Sequence, residues 1–233
     1  MKVIGIIGAM EEEVAMLKEK MTEVTVHHKA GMEFFRGKLN EKEAVVVRSG
    51  IGKVNAGICT QILADDFQVD AVINTGIAGS LKNEINIGDI VLSTDTMQHD
   101  VDAREFGYPL GQIPRMDTLA FPADERLRTL AAKVCREVNP EIQVFEGRVV
   151  SGDQFIADAE RKAAIVNNTQ GWCTEMEGGA IAQAAYLNRI PYLVIRAISD
   201  KADNSAHVDY PTFEKQAIQH SVNLVESMMK ELQ

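Results

Sequence analysis

The stretch Ala71-Val-Ile-Asn-Thr-Gly-Ile-Ala-Gly79 decides the fold. Ala71–Asn74 is a short apolar run of the kind that forms a buried strand, and Thr75–Gly79 reads as a glycine turn at its carboxyl end. The same unit opens the chain, where Val3–Ile7 runs into Gly8-Ala9-Met10. Between the two, Glu11–Met21 carries Val14, Leu17 and Met21 at helical spacing, with acids in the first turn that suit the helix dipole. Val24–His28, Glu33–Leu39 and Ala44–Arg48 are rich in β-formers and read as an antiparallel meander. Lys53–Asp66 is helical by Val54, Ile58, Ile62 and Leu63.

Downstream the alternation continues. Strands are expected at Ile90–Thr94, Val144–Val150, Cys173–Met176 and Tyr192–Ile198. Helices are expected at Asp124–Glu137, Ala159–Asn167, Gly178–Leu187 and Pro211–Leu232. Strands and helices in alternation imply an α/β fold whose mixed, mainly parallel sheet is covered on both faces. No Pro/Gly/Ser-rich linker, fixed-period repeat or low-complexity segment divides the sequence, so one domain spanning 1–233 is expected. Residues 98–121 have little periodicity, and a loop of that length in a compact domain is usually functional or used in association.

The 233 residues are 45% hydrophobic and 25% charged, an ordinary globular composition. The formal net charge is −10 and no Lys/Arg stripe reverses it locally, which argues against nucleic acid and anionic membrane as partners. Cys59, Cys135 and Cys173 are odd in number and far apart, so buried thiols are expected in place of disulfides or a structural metal. The apolar start is followed at once by three glutamates and has no cleavage site, and no apolar run reaches membrane-spanning length. A cytoplasmic protein is expected.

Ligands of open α/β sheets gather beyond the carboxyl ends of the strands. Those ends carry Gly8–Met10, Ser49–Gly52, Gly76–Gly79, Ser151–Asp153, Glu175–Glu177 and Ser199–Asp200. They combine small residues with a handful of carboxylates. The first turn lacks G-x-G-x-x-G, and glutamates at the following helix would repel a pyrophosphate. No Walker motif and no G-x-S-x-G elbow occurs. His99-Asp100 has no second His/Asp cluster to build a metal site, and hydrogen bonding or a place near a subunit contact explains His99 better.

Six motifs, in order, carry a family resemblance: GIIGAMEEEV (5–14), SGIGKVNAG (49–57), NTGIAGSL (74–81), VSGDQF (150–155), EMEGGAIA (175–182) and IRAISDKAD (195–203). Together they resemble the methylthioadenosine/S-adenosylhomocysteine nucleosidases of the nucleoside phosphorylase-I superfamily, over essentially the whole chain. The resemblance implies a single α/β domain with a mixed, partly barrel-like central sheet flanked by helices. It also implies a homodimer in which the 98–121 loop completes the partner's active site, placing Val101 and Phe106 near the substrate's 5' end. The implied reaction hydrolyses the N-glycosidic bond of methylthioadenosine and adenosylhomocysteine, with 5'-deoxyadenosine as a further candidate, and needs no metal or other cofactor.

The roles that follow from the resemblance are chemically specific. The transition state is oxocarbenium-like with a departing purine, which calls for a proton, a positioned water and a grip on the sugar. Asp200 matches the general acid toward purine N7, with Ser199 orienting its carboxyl and Arg196 arranging the water and the nearby acid. Glu13 matches the carboxylate that activates the water. From residue type alone, Asp200 is equally a helix cap and Glu13 a complement to the dipole. Glu177 matches the acceptor of both ribose hydroxyls, a geometry that suits an ionised carboxylate. Met176 would pack on the ribose or the thioether, Gly79 would let the backbone approach the ligand, Phe155 would stack on adenine, and the Ile156 backbone would bond its edge. Met10, Ile51 and Phe213 are expected as apolar walls.

Two departures from the family pattern stand out. Ile77 occupies a position where relatives often carry Ser, shifting water placement onto Glu13 and Arg196. Gly178-Gly179 is expected to loosen the following helix, since Gly costs roughly 1 kcal/mol against Ala. A purine nucleoside phosphorylase is the nearest alternative, but Glu13 places negative charge where phosphate would bind. Aminofutalosine hydrolysis differs mainly around the 5' group, AMP hydrolysis would need a basic clamp, and an adenosine-binding module without chemistry is the non-enzymatic alternative.

Overall fold

Strands buried on both faces organise the molecule, whose computed structural model describes residues 1–232. The first half contains β1 (Val3–Gly8), α1 (Glu11–Glu19), β2 (Thr22–Lys29), β3 (Met32–Leu39), β4 (Lys42–Arg48), α2 (Lys53–Asp65) and β5 (Ala71–Ser80). Next come β6 (Ile90–Gln98), a 3₁₀ turn at Arg104–Phe106, β7 (Phe121–Pro122), α3 (Glu125–Val138) and β8 (Val144–Ser151). The chain continues through α4 (Ala159–Thr169), β9 (Cys173–Glu175), α5 (Gly178–Asn188), β10 (Tyr192–Asp200) and α6 (Ala206–Glu231).

The sheet runs β10-β6-β8-β9-β5-β1-β4-β3-β2, and β5 pairs again with β10. That second pairing closes β5, β10, β6, β8 and β9 into a five-stranded barrel, while β1 and the β4-β3-β2 meander extend from it as an open wing. β1, β4, β5 and β10 are mutually parallel, and β6 runs antiparallel to β10. Edge strand β2 is exposed throughout and carries Glu23, His27, His28 and Lys29, charges and polar groups that discourage edge-to-edge pairing.

Apolar side chains from alternate positions of the strands fill two main cores. One joins Ile4, Ile6, Ile73 and Ile195 to α1, α3 and α6; the other joins Ile7, Val45, Val72 and Val194 to α2 and α5. Cys59, Cys135 and Cys173 are buried free thiols, as the sequence predicts, and burial pushes each thiol up in pKa, Cys135 to about 11. Among the described residues no helix is long and apolar enough to cross a membrane.

Three expectations need correction. Thr75–Gly79 is not a turn: β5 continues to Ser80 and pairs with β10 across the glycines. Gly76 and Gly79 are required by close approach, because a Cβ would lie 2.7 Å from Glu13 Oε1 and 2.8 Å from Asp200 Oδ1 respectively. Likewise β10 runs on through Ser199 and Asp200, with a register irregularity between Ile198 and Asp200 of the kind that re-aims a side chain. Finally, α6 begins at Ala206, five residues before the expected start, and contains Pro211. The missing N–H of Pro211 is tolerated there because both Pro211 and His207, four residues back, are exposed to water.

Candidate functional site

The carboxyl ends of β1, β5, β9 and β10 converge on one cavity of about 520 Å³. Glu13 forms its floor from the first turn of α1. The chain turns at Gly8-Ala9-Met10, and the Glu13 carboxylate reaches back to accept the N–H groups of Ala9 at 2.6 Å and Met10 at 3.0 Å. Its other oxygen faces the Ile77 N–H of β5 at 3.3 Å. Glu11 and Glu12 are exposed, Glu11 pairing with Lys18, so only the third glutamate of the run turns inward. Glu13 therefore lies both in the first turn of α1 and on the cavity. Burial pushes its pKa above the ordinary range, opposed by the nearby Arg196 charge and by the three N–H donors.

Asp200 lies on the same cavity in different company. Its Oδ2 accepts the Ser199 hydroxyl at 2.8 Å and its Oδ1 the Ala202 N–H at 2.7 Å. Burial raises its pKa, those two donors oppose the shift, and Asp209 and Asp203 add to it. Gly79 borders the cavity, but its missing Cβ makes room for Asp200 and Ala202 as much as for a ligand.

Glu177 stands at the start of α5, facing the cavity, and accepts the Gly52 N–H at 2.8 Å. Burial, then the negative charge of Glu175, pushes its carboxyl up to about 8. Met176 and Met10 supply thioethers to the wall, Ile51 and Ile77 apolar surface. Phe155 is about half exposed, its ring edge-on to Tyr210 at 5.8 Å. Ile156 is buried and lines a smaller slot that adjoins the cavity between Phe155, Met176 and Asp200.

Arg196 does not line the cavity. Its guanidinium lies behind the wall, fully buried, and donates to Glu175 Oε2 at 2.5 Å, to the Asn74 side chain and to Ile195 O at 2.9 Å. A carboxylate, an amide and a carbonyl therefore hold the guanidinium in place behind the wall. Glu175, which sequence reasoning passed over, also accepts the Ser151 hydroxyl and the N–H groups of Gly178 at 2.7 Å and Glu177 at 3.2 Å. Gly178-Gly179 thus tightens the start of α5, contrary to expectation: a Cβ at Gly178 would lie 3.1 Å from both Glu175 carboxylate oxygens, and the Gly179 N–H bonds Ser151 Oγ at 2.6 Å.

Phe213 is half-buried and is not among the residues lining this cavity. His207, Tyr210 and Pro211, in the first turns of that helix, face the cavity instead, and the Tyr210 hydroxyl lies 3.4 Å from the Met10 sulfur. Val101 and Phe106 also lie outside this chain's cavity, and Phe106 is 82% exposed. A signal for Glu175 was present in the alternation of Glu175-Met176-Glu177, and one for Asn74 in a lone amide within an apolar strand. Neither says which partner it meets. His99 and Asp100 part company: Asp100 pairs with Lys53 at 2.6 Å, and His99 packs beside Gly152 with its Nε2 unpartnered. No group of three or more His, Cys, Asp or Glu among the described residues is arranged to hold a metal ion.

Comparison with known proteins agrees with this architecture. The sequence profile of the Phosphorylase superfamily matches residues 3–230. The chain is 43% identical over 230 residues to a 5'-methylthioadenosine/S-adenosylhomocysteine nucleosidase of Staphylococcus haemolyticus, covering 98% of this chain and 100% of the relative. It superposes on the crystal structure of the nucleosidase of that name from Neisseria meningitidis, in complex with methylthio-immucillin-A, with a TM-score of 0.96, 37% identity and 100% of both chains covered. The native structure of a futalosine hydrolase from Helicobacter pylori matches with a TM-score of 0.93 and 35% identity, covering 99% of this chain and 98% of that one.

Proposed function

The chain belongs to the Phosphorylase superfamily and, within it, to the 5'-methylthioadenosine/S-adenosylhomocysteine nucleosidases, and from that membership we propose how its own residues carry out the reaction. The enzyme is an N-glycosyl hydrolase that splits the bond between adenine and ribose in methylthioadenosine and adenosylhomocysteine. Adenine takes the slot between Phe155 and the Ile156 backbone, with N7 toward Asp200. Glu177 accepts the ribose hydroxyls. Water sits between C1' and Glu13.

In the step itself the C1'–N9 bond breaks and its electron pair passes to the purine. Protonated Asp200 gives its proton to N7, so the base leaves as neutral adenine. A water oxygen bonds to C1', and its proton passes to ionised Glu13. Ser199 orients the acid, while Arg196 acts from behind the wall, its positive charge favouring ionised Glu13. A proton delivered to so poor a leaving group is worth roughly a hundred to ten thousand fold.

The observation that carries this reading is the pair of buried carboxyls, Glu13 and Asp200, on one cavity whose lining includes no Lys or Arg. A phosphate nucleophile would meet Glu13 and Glu177 without a cation in the wall, a repulsion of several kcal/mol at low effective dielectric. Water meets no such barrier. The test is Asp200→Asn, expected to bind methylthioadenosine normally and to lower kcat at least about a hundredfold. Near-normal turnover would overturn the assignment of the acid.

The second reading, futalosine hydrolysis, draws on the Helicobacter pylori likeness. Met10, Ile51, Met176 and Tyr210 around the cavity offer apolar and polarizable surface suited to the 5' thioether that methylthioadenosine and adenosylhomocysteine share. Ile51 before α2, Val54 and Ile58 on α2, and Tyr186 and Leu187 on α5, the helix packed against it, are exposed apolar residues. An apolar patch of this kind supports a homodimer in which loop 98–121, with exposed Phe106, reaches the partner's cavity. Both ends of the chain build the cavity, α1 from one and α6 from the other, which supports a single domain over 1–233. Adenine and a thioribose as products suit methionine salvage in the cytoplasm.

A further inference from the structure

Three sequence features lie outside the mechanism: Lys53 in SGIGK, Asp153 in SGDQ, and Asp100 at the head of the long loop. The fold brings them together. Lys53 Nζ donates to Asp100 Oδ1 at 2.6 Å and to Gln98 Oε1 at 3.0 Å, with both charged side chains less than a fifth exposed. Asp153 Oδ1 accepts the backbone N–H of Lys53 at 2.8 Å, and the Asp153 N–H donates to Asp100 Oδ2 at 3.0 Å. The ring of contacts joins the end of β6, the start of α2 and the turn after β8.

Its effect falls on Gly52. That residue precedes α2 and has no side chain with which to cap it, so the first helical N–H, on Lys53, is satisfied by Asp153 across the fold. Gly52 has φ +96°, a conformation that L side chains rarely adopt, and a Cβ there would lie 3.1 Å from Asp153 Oδ1. Held in this way, the Gly52 N–H is the donor that Glu177 accepts at 2.8 Å. Among the described residues the Glu177 carboxylate has no other hydrogen-bond partner, whereas Glu175 beside it has four.

We propose that Lys53, Asp100 and Asp153 are positioning residues that aim Glu177 at the sugar through the Gly52 N–H. The aim of the sugar-binding carboxylate is then set from outside the cavity, by a clamp that includes Asp100 of the 98–121 loop. The clamp touches no base-binding residue except through the chain from Asp153 to Phe155. It therefore acts on recognition of ribose far more than on recognition of adenine. This inference rests on the proposed role of Glu177 in binding ribose.

The experiment compares Asp100→Ala, Asp153→Ala and Asp153→Asn with the full-length parent, measuring KM and kcat for methylthioadenosine and Kd for free adenine. Asn keeps an oxygen for the Lys53 N–H, which Ala does not. The expected result is a KM raised about fivefold or more in both Ala variants, with adenine Kd within about twofold of the parent and Asp153→Asn restoring most of the lost affinity. Parallel loss of adenine and nucleoside affinity, or an unchanged KM in both Ala variants, would overturn the clamp. Glu177→Gln serves as the control. An unchanged KM in Glu177→Gln would overturn the ribose assignment together with the inference, whereas a raised KM there beside unchanged clamp variants would overturn the inference alone.

Discussion

The water side and the base side of the cavity use the same residue chemistry in opposite surroundings. Glu13 and Asp200 are both buried carboxyls whose pKa values burial raises. Glu13 is met by three backbone N–H groups and by a guanidinium one layer away. Asp200 is met by one N–H and one hydroxyl, with Asp203, Asp209 and Lys162 as charged neighbours and no guanidinium among them. The first setting opposes the effect of burial more strongly than the second, which is the direction the proposed base and acid roles require. Two groups separated in this manner divide base and acid work without any difference in their own chemistry.

The sharpest way to break that comparison is to change the leaving group. Glu13→Gln should lose at least about a hundredfold in kcat on methylthioadenosine and on a riboside whose leaving group needs no proton, because water attack is common to both. Asp200→Asn should lose as much on methylthioadenosine and little on the activated riboside. Equal losses for both variants on both substrates, followed by steady-state turnover, would erase the distinction between the two sides.

A smaller effect concerns Glu177. Its carboxyl, pushed up to about 8, is neutral below that pH and ionised above it. If the ionised form grips the ribose hydroxyls, KM should fall as pH rises toward about 8 and then level off, by up to about tenfold per pH unit. A flat KM over that range, in a pH series at constant ionic strength, would remove the need for an ionised acceptor.

The smallest effect is on stability. The folded protein holds the Glu177 proton more tightly than the unfolded chain, whose carboxyl keeps its ordinary 4.5, so stability falls as pH rises between 4.5 and about 8. Glu177→Gln removes that loss. Its Tm at pH 8 should exceed the parent's, each kcal/mol being worth about 2–4 °C for a chain of this size. A calorimetric scan checks the sign, and the gain should vanish below pH 4.5.

The order of strands and helices was legible because burial and periodicity are local properties of a sequence. The closure of the barrel was not, since the pairing of β5 with both β9 and β10 leaves no local mark. Gly76 and Gly79 read as a turn because glycine has two uses, and only the side chains of Glu13 and Asp200, distant in sequence, reveal the second. The inward choice of Glu13 over Glu11 and Glu12 came from resemblance, and the structure supplies its physical cause in the Ala9 and Ile77 N–H groups. Glu175 and Arg196 were harder still, because a buried ion pair is written as two ordinary charged residues 21 positions apart. The start of α6 was set at Pro211 because proline favours a first helical turn, whereas the chain turns helical at Ala206.

The central claim is that water, not phosphate, takes the place of adenine at C1'. Purified protein incubated with methylthioadenosine, with and without inorganic phosphate, tests it once both products are identified. The account predicts adenine and free methylthioribose at a rate indifferent to phosphate. Release that depends on phosphate and yields methylthioribose 1-phosphate would contradict it, and with it the reading of Glu13.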